Sequence, residues 1–308
     1  VLERLRGAVD GGGKEIVLTG GEPTLRRDLV ELVREARAAG AERVVLETNA
    51  TLVDAARAAE LRAAGLDRAV VNLAGDGAWL DALTRDPGGF ERTLAGIDAL
   101  LGAGVVVDVQ AAIAAGSAER LPRLPPFLVA RFGGRVRTLF LLTPVESPDA
   151  SELVDYDTAG AVMRAVDRAA RQCGMPLKLA PGSGPPPCVH GSDPRVPHLY
   201  ALTAGGAGRA DHQKPPVCEG CEVRDRCAGV PDAVVSRFGL PRMTPVSGDR
   251  ARRRLSLIAT VEEQITRELV TPNRYRDAVH GDVDEDVIRV VFQCNQSCRF
   301  CFVSTHLP

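Results

Sequence analysis

From residue 15 to residue 172 short apolar runs alternate with longer stretches of helical periodicity, and that alternation leaves the chain very few architectures. The strand-like runs are Glu15–Thr19, Arg43–Glu47, Ala69–Leu73, Val105–Ala111 and Val136–Leu142. Helical patterns cover residues 1–13, about 24–40, 52–64, 88–101, 117–131 and 157–172. Strands separated by helices run parallel, with right-handed crossovers, and a parallel sheet gathers its functional groups at the carboxyl ends of its strands. These residues supply five strands. A sixth apolar, β-branched run, Val287–Gln293, comes long after the alternation has stopped.

Directly after that sixth run stand Cys294, Cys298 and Cys301, spaced C-x3-C-x2-C. Three sulfurs on one loop can surround a soft metal centre. They are one ligand short of a closed site, so a 4Fe–4S cubane held this way keeps one iron open to a further ligand. A zinc knuckle or simple buried thiols are the plainer readings. At the other end of the chain, Glu15–Thr19 runs into Gly20-Gly21-Glu22-Pro23-Thr24-Leu25. Two glycines let a ligand approach the backbone, Glu22 offers an anionic acceptor suited to an ammonium group, and Pro23 with Thr24 opens the next helix. The remaining strand ends carry Asn49 within Thr48-Asn49-Ala50-Thr51, Asn72, Asp76, Gln110 and Thr143-Pro144. Each taken alone is commonly a cap or turn residue.

The cysteine spacing, with Phe300 before the last thiol, resembles the radical S-adenosylmethionine (radical SAM) enzymes, and so does the string GGEPTL. Thr48–Thr51 is similar to a Thr-Asn-Gly strand end of that family, with Ala50 in the glycine position, which weakens any claim that the turn there needs positive φ. Leu83–Gly104 resembles the family segment that begins the helix after the third strand, a likeness of architecture rather than chemistry. The resemblance implies a partial (β/α)6 radical SAM barrel, an α/β fold, circularly permuted so that its first strand comes from the C-terminus. It implies that Cys294, Cys298 and Cys301 ligate a SAM-binding 4Fe–4S cluster. Gly20, Gly21 and Glu22 would hold the methionine end of the cofactor, and Asn49, Asn72, Gln110 and Phe300 would make further cofactor contacts.

Beyond residue 175 prolines and glycines dominate, and a loop-rich excursion carries Cys188 and then Cys218-x2-Cys221-x5-Cys227. Four thiolates could hold zinc or an iron–sulfur cluster. The spacing resembles the SPASM and twitch extensions of radical SAM peptide-modifying enzymes, which implies a Cys-ligated extension with one auxiliary 4Fe–4S cluster. All four sulfurs are expected at one site, ordering a stretch too poor in apolar side chains to order itself. Cys173 stands apart as an inert thiol.

The 308 residues, 45% hydrophobic, suffice for one large α/β domain or a domain with an appendage, and a net charge of −2 leaves no electrostatic footprint for nucleic acid. No apolar stretch is long enough for a membrane span, so the expectation is a cytoplasmic protein with no membrane partner. Three segments are read: a barrel in 1–175, the auxiliary extension in 176–245, and in 246–308 a helical segment, 252–270, leading to barrel strand 1. The order is reversed relative to the family, either by circular permutation or because the chain is cut from a tandem protein. In both cases an apolar strand beside a barrel lacking one is expected to close it. The resemblance implies reductive cleavage of S-adenosylmethionine and hydrogen abstraction from a peptide, or from a small molecule as in cofactor biosynthesis. An external electron donor such as flavodoxin or ferredoxin would be its partner. A non-catalytic zinc-binding scaffold is the non-enzyme alternative.

Overall fold

The structure is a computed structural model of the chain and describes residues 1–180, 183–191, 199–200, 202, 209–248, 285–291 and 293–301. The expected helix 252–270, and the acidic connection after it as far as residue 284, lie outside the described residues. In chain order the elements are α1 (Leu2–Asp10), β1 (Glu15–Gly20), α2 (Leu29–Ala38), β2 (Arg43–Thr48), α3 (Ala55–Ala64) and β3 (Arg68–Asn72). Then come α4 (Leu80–Thr84), α5 (Gly89–Gly102), β4 (Val106–Ala112), α6 (Leu124–Phe132), β5 (Val136–Leu142), α7 (Tyr156–Cys173) and β6 (Leu177–Leu179). Last are β7 (His212–Gln213), β8 (Val230–Pro231), α8 (Asp232–Phe238) and β9 (Glu285–Val291).

Seven strands form one parallel sheet in the order β6-β5-β4-β3-β2-β1-β9. The last strand of the chain thus pairs with the first, Val17 opposite Val287 and Leu18 opposite Ile288. Alternation along each strand sorts the two faces. Ile16, Leu18, Leu46, Val71, Val109, Leu141, Ile288 and Val290 join the helices in the main core. In α2, for example, Leu29, Leu32, Val33 and Ala36 form the buried stripe that an i, i+3, i+4, i+7 pattern produces. On the opposite face Val17, Val45 and Val70 make a small separate cluster. Below them a ladder of charges crosses five strands: Glu15 pairs with Arg43 at 2.6 Å and Arg68 at 2.7 Å, Arg68 lies 3.7 Å from Asp108, and Asp108 accepts from Arg137 Nε at 3.0 Å.

The elements depart from the sequence pattern where proline or brevity intervenes. The helix expected from about residue 24 starts at Leu29, because Pro23–Leu25 forms a separate 3-10 turn. Likewise α6 starts only at Leu124, behind a second 3-10 turn, since Pro125 and Pro126 fit the first turn of a helix but not its interior. The three-residue β6 and five-residue α4 are too short to carry a period, and β6 is a strand because β5 pairs with it. In the described part of the cysteine-rich stretch the regular structure is the antiparallel pair of β7 and β8, the seven-residue α8 and two 3-10 turns, Pro187–His190 and Pro216–Gly220.

Candidate functional site

All carboxyl ends of the parallel strands share one rim, and the link between β1 and β9 organises it. Gly20 sits at φ 154°, and a Cβ there would lie 2.0 Å from the carbonyl oxygen of Val291. Only glycine allows that approach. The next two amides donate across the same seam, Gly21 N–H to Val291 O and Glu22 N–H to Gln293 O, both at 2.7 Å. The Gly-Gly-Glu turn is therefore fastened by main chain to the strand that delivers the cysteines.

Glu22 is 1% exposed. Its Oε1 accepts from Thr24 N at 3.0 Å, from the Thr24 hydroxyl and from the Thr48 hydroxyl at 2.6 Å, and its Oε2 accepts from Asn49 N at 2.7 Å. Burial pushes its carboxyl above the usual carboxylate range, and these four donors pull the other way. The side chain joins the ends of β1 and β2; three of its donors crowd Oε1, so an ammonium ligand would find acceptor capacity on Oε2, which takes one.

At the end of β2, Asn49 Nδ2 donates to Asn295 Oδ1 at 2.8 Å, and Asn295 Nδ2 donates to the Thr51 hydroxyl at 2.6 Å. Ala50 corrects an expectation: although it is not glycine it has φ 58°, so the turn does require the left-handed region. Helix α5 enforces it. Thr93 donates its hydroxyl to Asn49 O at 3.0 Å, and Gly96 packs so closely that a Cβ there would lie 2.1 Å from Ala50 O. On the neighbouring strands Gln110 Nε2 donates to Asn72 Oδ1 at 3.3 Å.

The cysteine loop is stitched into the residues after β3. Ser297 N donates to Thr84 O at 3.1 Å, Arg299 N to Leu83 O at 3.0 Å, and Gln296 Nε2 to Asp86 Oδ2 at 3.1 Å, while Phe300 is buried in the core. Cys294, Cys298 and Cys301 consequently line one open-mouthed cleft of about 760 Å³ together with Gly21, Glu22, Asn49, Asn72, Gln110 and Phe300. Gly20, expected to contact the cofactor, does not line the cleft; it is buried against Val291 in the seam. Asp76 instead accepts from Trp79 Nε1 at 3.2 Å, and Thr143 N donates to Ser183 Oγ at 2.7 Å; neither lines the cleft. Burial raises the Cys294 thiol, and burial with the neighbouring Cys301 and Cys294 pushes Cys298 up to about 12. Such thiols keep their protons until a soft cation compensates the thiolate charge, which is the donor chemistry an iron–sulfur cluster requires.

Sequence reasoning overlooked part of this wall. Thr84, Gly89, Phe90 and Thr93 come from the segment read as architecture alone, and Leu73, Ala74, Leu80 and Ala112 add an apolar side. The signal was the Asp86-Pro87-Gly88-Gly89 turn, whose carboxylate Oδ1 also pairs with Arg92.

A second cavity, about 360 Å³, is lined by Cys188, Cys218, Cys221 and Cys227 with Pro186, Val223, Val230 and Met243. Thr244 N donates to Cys188 O at 3.0 Å and Glu222 N to Val246 O at 2.9 Å, which fold the downstream chain over it. Burial and the other three thiols push Cys188 up to about 12. The sulfurs ring the cavity; among the described residues no three His, Cys, Asp or Glu side chains close on a single point as a lone ion demands. Cys173 is elsewhere, its thiol donating to Ala170 O at 3.4 Å. No helix of the described residues is long and apolar enough to cross a membrane.

Residues 1–116 match the Radical SAM superfamily. The AdoMet-dependent heme synthase of Oleidesulfovibrio alaskensis is 35% identical over 136 residues, 43% of this chain and 34% of that protein. The probable GTP 3',8-cyclase of Metallosphaera sedula is 44% identical over 99 residues, 30% of this chain and 29% of that protein. The chain thus spans about a third of the length of these curated relatives. Among solved structures, SuiB of Streptococcus suis bound to precursor peptide SuiA aligns at TM-score 0.49 and 17% identity, over 58% of this chain and 41% of that one. Members of the family use a 4Fe–4S cluster and S-adenosylmethionine. Residues 1–116, with the strands and strand ends they contribute to the cleft, are thus the part of the chain that is similar to the radical SAM superfamily.

Proposed function

We propose that this chain is a radical SAM enzyme whose Cys294, Cys298 and Cys301 hold the 4Fe–4S cluster and whose Gly20–Gly21–Glu22 turn receives the methionine end of S-adenosylmethionine. The observation that carries the reading is the shared cleft: thiols from the far end of the chain line the same walls as Gly21, Glu22, Asn49, Asn72 and Gln110. When bound, the cluster and S-adenosylmethionine supply an electron and a 5'-deoxyadenosyl radical that abstracts hydrogen from a substrate. The protein's own part is positional. Glu22 fixes the β1 and β2 ends and brings negative charge to an ammonium, the pair Asn72 and Gln110 offers amide groups to the nucleoside part, and Leu73, Leu80, Phe90 and Phe300 keep water from that side. The seam between β1 and β9 supports a partial barrel, an open sheet that the C-terminal strand extends at the β1 edge without closing it onto β6, whether the order arose by permutation or from a tandem protein.

The thiol-lined second cavity supports an auxiliary 4Fe–4S cluster and, through it, a peptide substrate, with an electron donor such as flavodoxin or ferredoxin as partner. A second reading, a small-molecule substrate, is favoured by the relatives, whose names state haem synthesis and GTP cyclisation. Anaerobic reconstitution tests the proposal. About four irons and four sulfides per site, a sulfur-to-iron charge-transfer band and 5'-deoxyadenosine on reduction are expected. Stoichiometric zinc at both cysteine groups with no deoxyadenosine would replace the enzyme by a scaffold. Deuterium transfer into deoxyadenosine from a labelled peptide panel, against tetrapyrrole and purine panels, separates the two substrate classes.

A further inference from the structure

We propose that Arg299 is a positioning residue: by pairing with Asp149 and Glu152 it fixes the Cys298–Cys301 half of the cysteine loop across the mouth of the sheet. Its consequence for a bound cluster rests on the ligand assignment proposed above. The argument starts from topology. Strand β9 is an edge strand, so its ladder with β1 fixes only the beginning of the loop, and Cys294 is held there beside the paired Asn49 and Asn295. From Ser297 onward the chain has left the sheet. Two main-chain bonds hold it to residues 83–84, and one side chain reaches beyond them to the segment after β5, near the opposite edge.

That side chain is Arg299. Its Nε lies 3.3 Å from Asp149 Oδ2 and its Nη2 3.0 Å from Glu152 Oε1, and its carbonyl oxygen accepts from the Ser147 hydroxyl at 2.7 Å. Glu152 is 2% exposed, and a carboxylate so buried is costly unless paired. Its other oxygen accepts from Gly116 N at 2.8 Å, and its own carbonyl from Ala115 N at 2.9 Å, so it is immobilised by the loop after β4. The junction has no slack: a Cβ at Gly116 would stand 2.8 Å from Leu83 and 3.0 Å from Glu152. Leu83 is also the residue whose carbonyl receives the Arg299 amide. The guanidinium fork spans two carboxylates three residues apart, which a lysine ammonium, a single point charge, cannot do.

The test uses the whole chain without metal, reading iodoacetamide alkylation of each cysteine by mass spectrometry. In Arg299→Ala, freed of the clamp, Cys298 and Cys301 are expected to react about tenfold faster, and Cys294 and Cys227 less than about twofold faster, since only the outer half of the loop opens. Arg299→Lys, which keeps one charge contact, falls between. After anaerobic loading, Arg299→Ala is expected to lose most of the shift that S-adenosylmethionine induces in the reduced cluster's electron paramagnetic resonance. Unchanged alkylation of Cys298 and Cys301 overturns the proposal, as does equal acceleration at all four sites, which would mean general loosening. If Arg299→Ala does not fold, Arg299→Lys and Asp149→Asn decide: the same site selectivity supports the clamp, and wild-type rates in both refute it. A wild-type chain that takes up no cluster defeats the assignment of function, while the alkylation pattern still decides the clamp.

Discussion

Replacing Gly20 by alanine places a methyl group 2.0 Å from a carbonyl oxygen, and the atoms on both sides of that contact are main chain. No side chain can rotate away, so the seam between β1 and β9 must open. Overpacking of this kind costs about 1–3 kcal/mol. The two amide bonds that cross the seam, from Gly21 and Glu22, contribute about 1 kcal/mol each and are lost with it. A destabilisation of about 3–5 kcal/mol, concentrated at one edge, multiplies the open population of that edge by roughly 10² to 4 × 10³. Gly12→Ala is the control: Gly12 has φ 100°, and a methyl group added there would meet no atom within 4 Å, so it isolates backbone strain from collision. Native-state hydrogen exchange of the metal-free chain is the assay. In Gly20→Ala the amides of 285–291 should exchange at least about a hundredfold faster while those of β2 to β4 keep their protection. If Gly20→Ala exchanges like Gly12→Ala, or if β2 and β3 lose protection equally, the seam does not hold the cysteine strand and the pairing of β1 with β9 is wrong.

Other outcomes follow from the same geometry. Burial raises the Glu22 carboxyl above 4.5, so the stability its neutral form contributes is fully present below that pH and is lost as pH rises through the raised value; plotted against pH, the urea midpoint of the wild type should fall more steeply across that window than that of Glu22→Gln, and identical slopes would refute the assignment. Cys298→Ala should abolish 5'-deoxyadenosine production while the auxiliary site keeps its metal, measured by iron content and product chromatography; full production would end the mechanism. Cys227→Ala should lose metal at the second cavity, admit protease between residues 209 and 231, and uncouple cofactor cleavage from substrate modification; normal modification would make that site merely structural.

The path from sequence to site was uneven for physical reasons. Strand β9 could be placed beside β1 because one apolar run lacked a partner and one sheet lacked a strand, and because two motifs had to touch one molecule. The short β6 could not be read, since three residues carry no period and its strand character is conferred by β5. Ala50 misled because residue type is only a weak guide to φ when helix α5 dictates the turn through Thr93 and Gly96. The partnership of Arg299 with Glu152 joins residues far apart in sequence, and neither residue type nor spacing hints at it. Glu22 was legible as an acid at the rim, yet its engagement by Thr24, Thr48 and Asn49 required coordinates.

The pairing of β1 with β9 also has a temporal side. A ribosome releases Gly20 roughly 265 residues before Glu285, a delay of about 10–50 s at ordinary elongation rates. Until then the β1 edge lacks its β9 partner, and the amides and carbonyls that β9 would cover are of the kind that recruit foreign strands. The Gly-Gly-Glu turn meanwhile lacks its two main-chain bonds to Val291 and Gln293, and Cys294, Cys298 and Cys301 have not yet been made. Metal insertion at this rim must therefore wait until Glu285–Val291 has docked, so that chains arrested before residue 285 would carry no iron held by these three thiols while the strands β1 to β6 are already made.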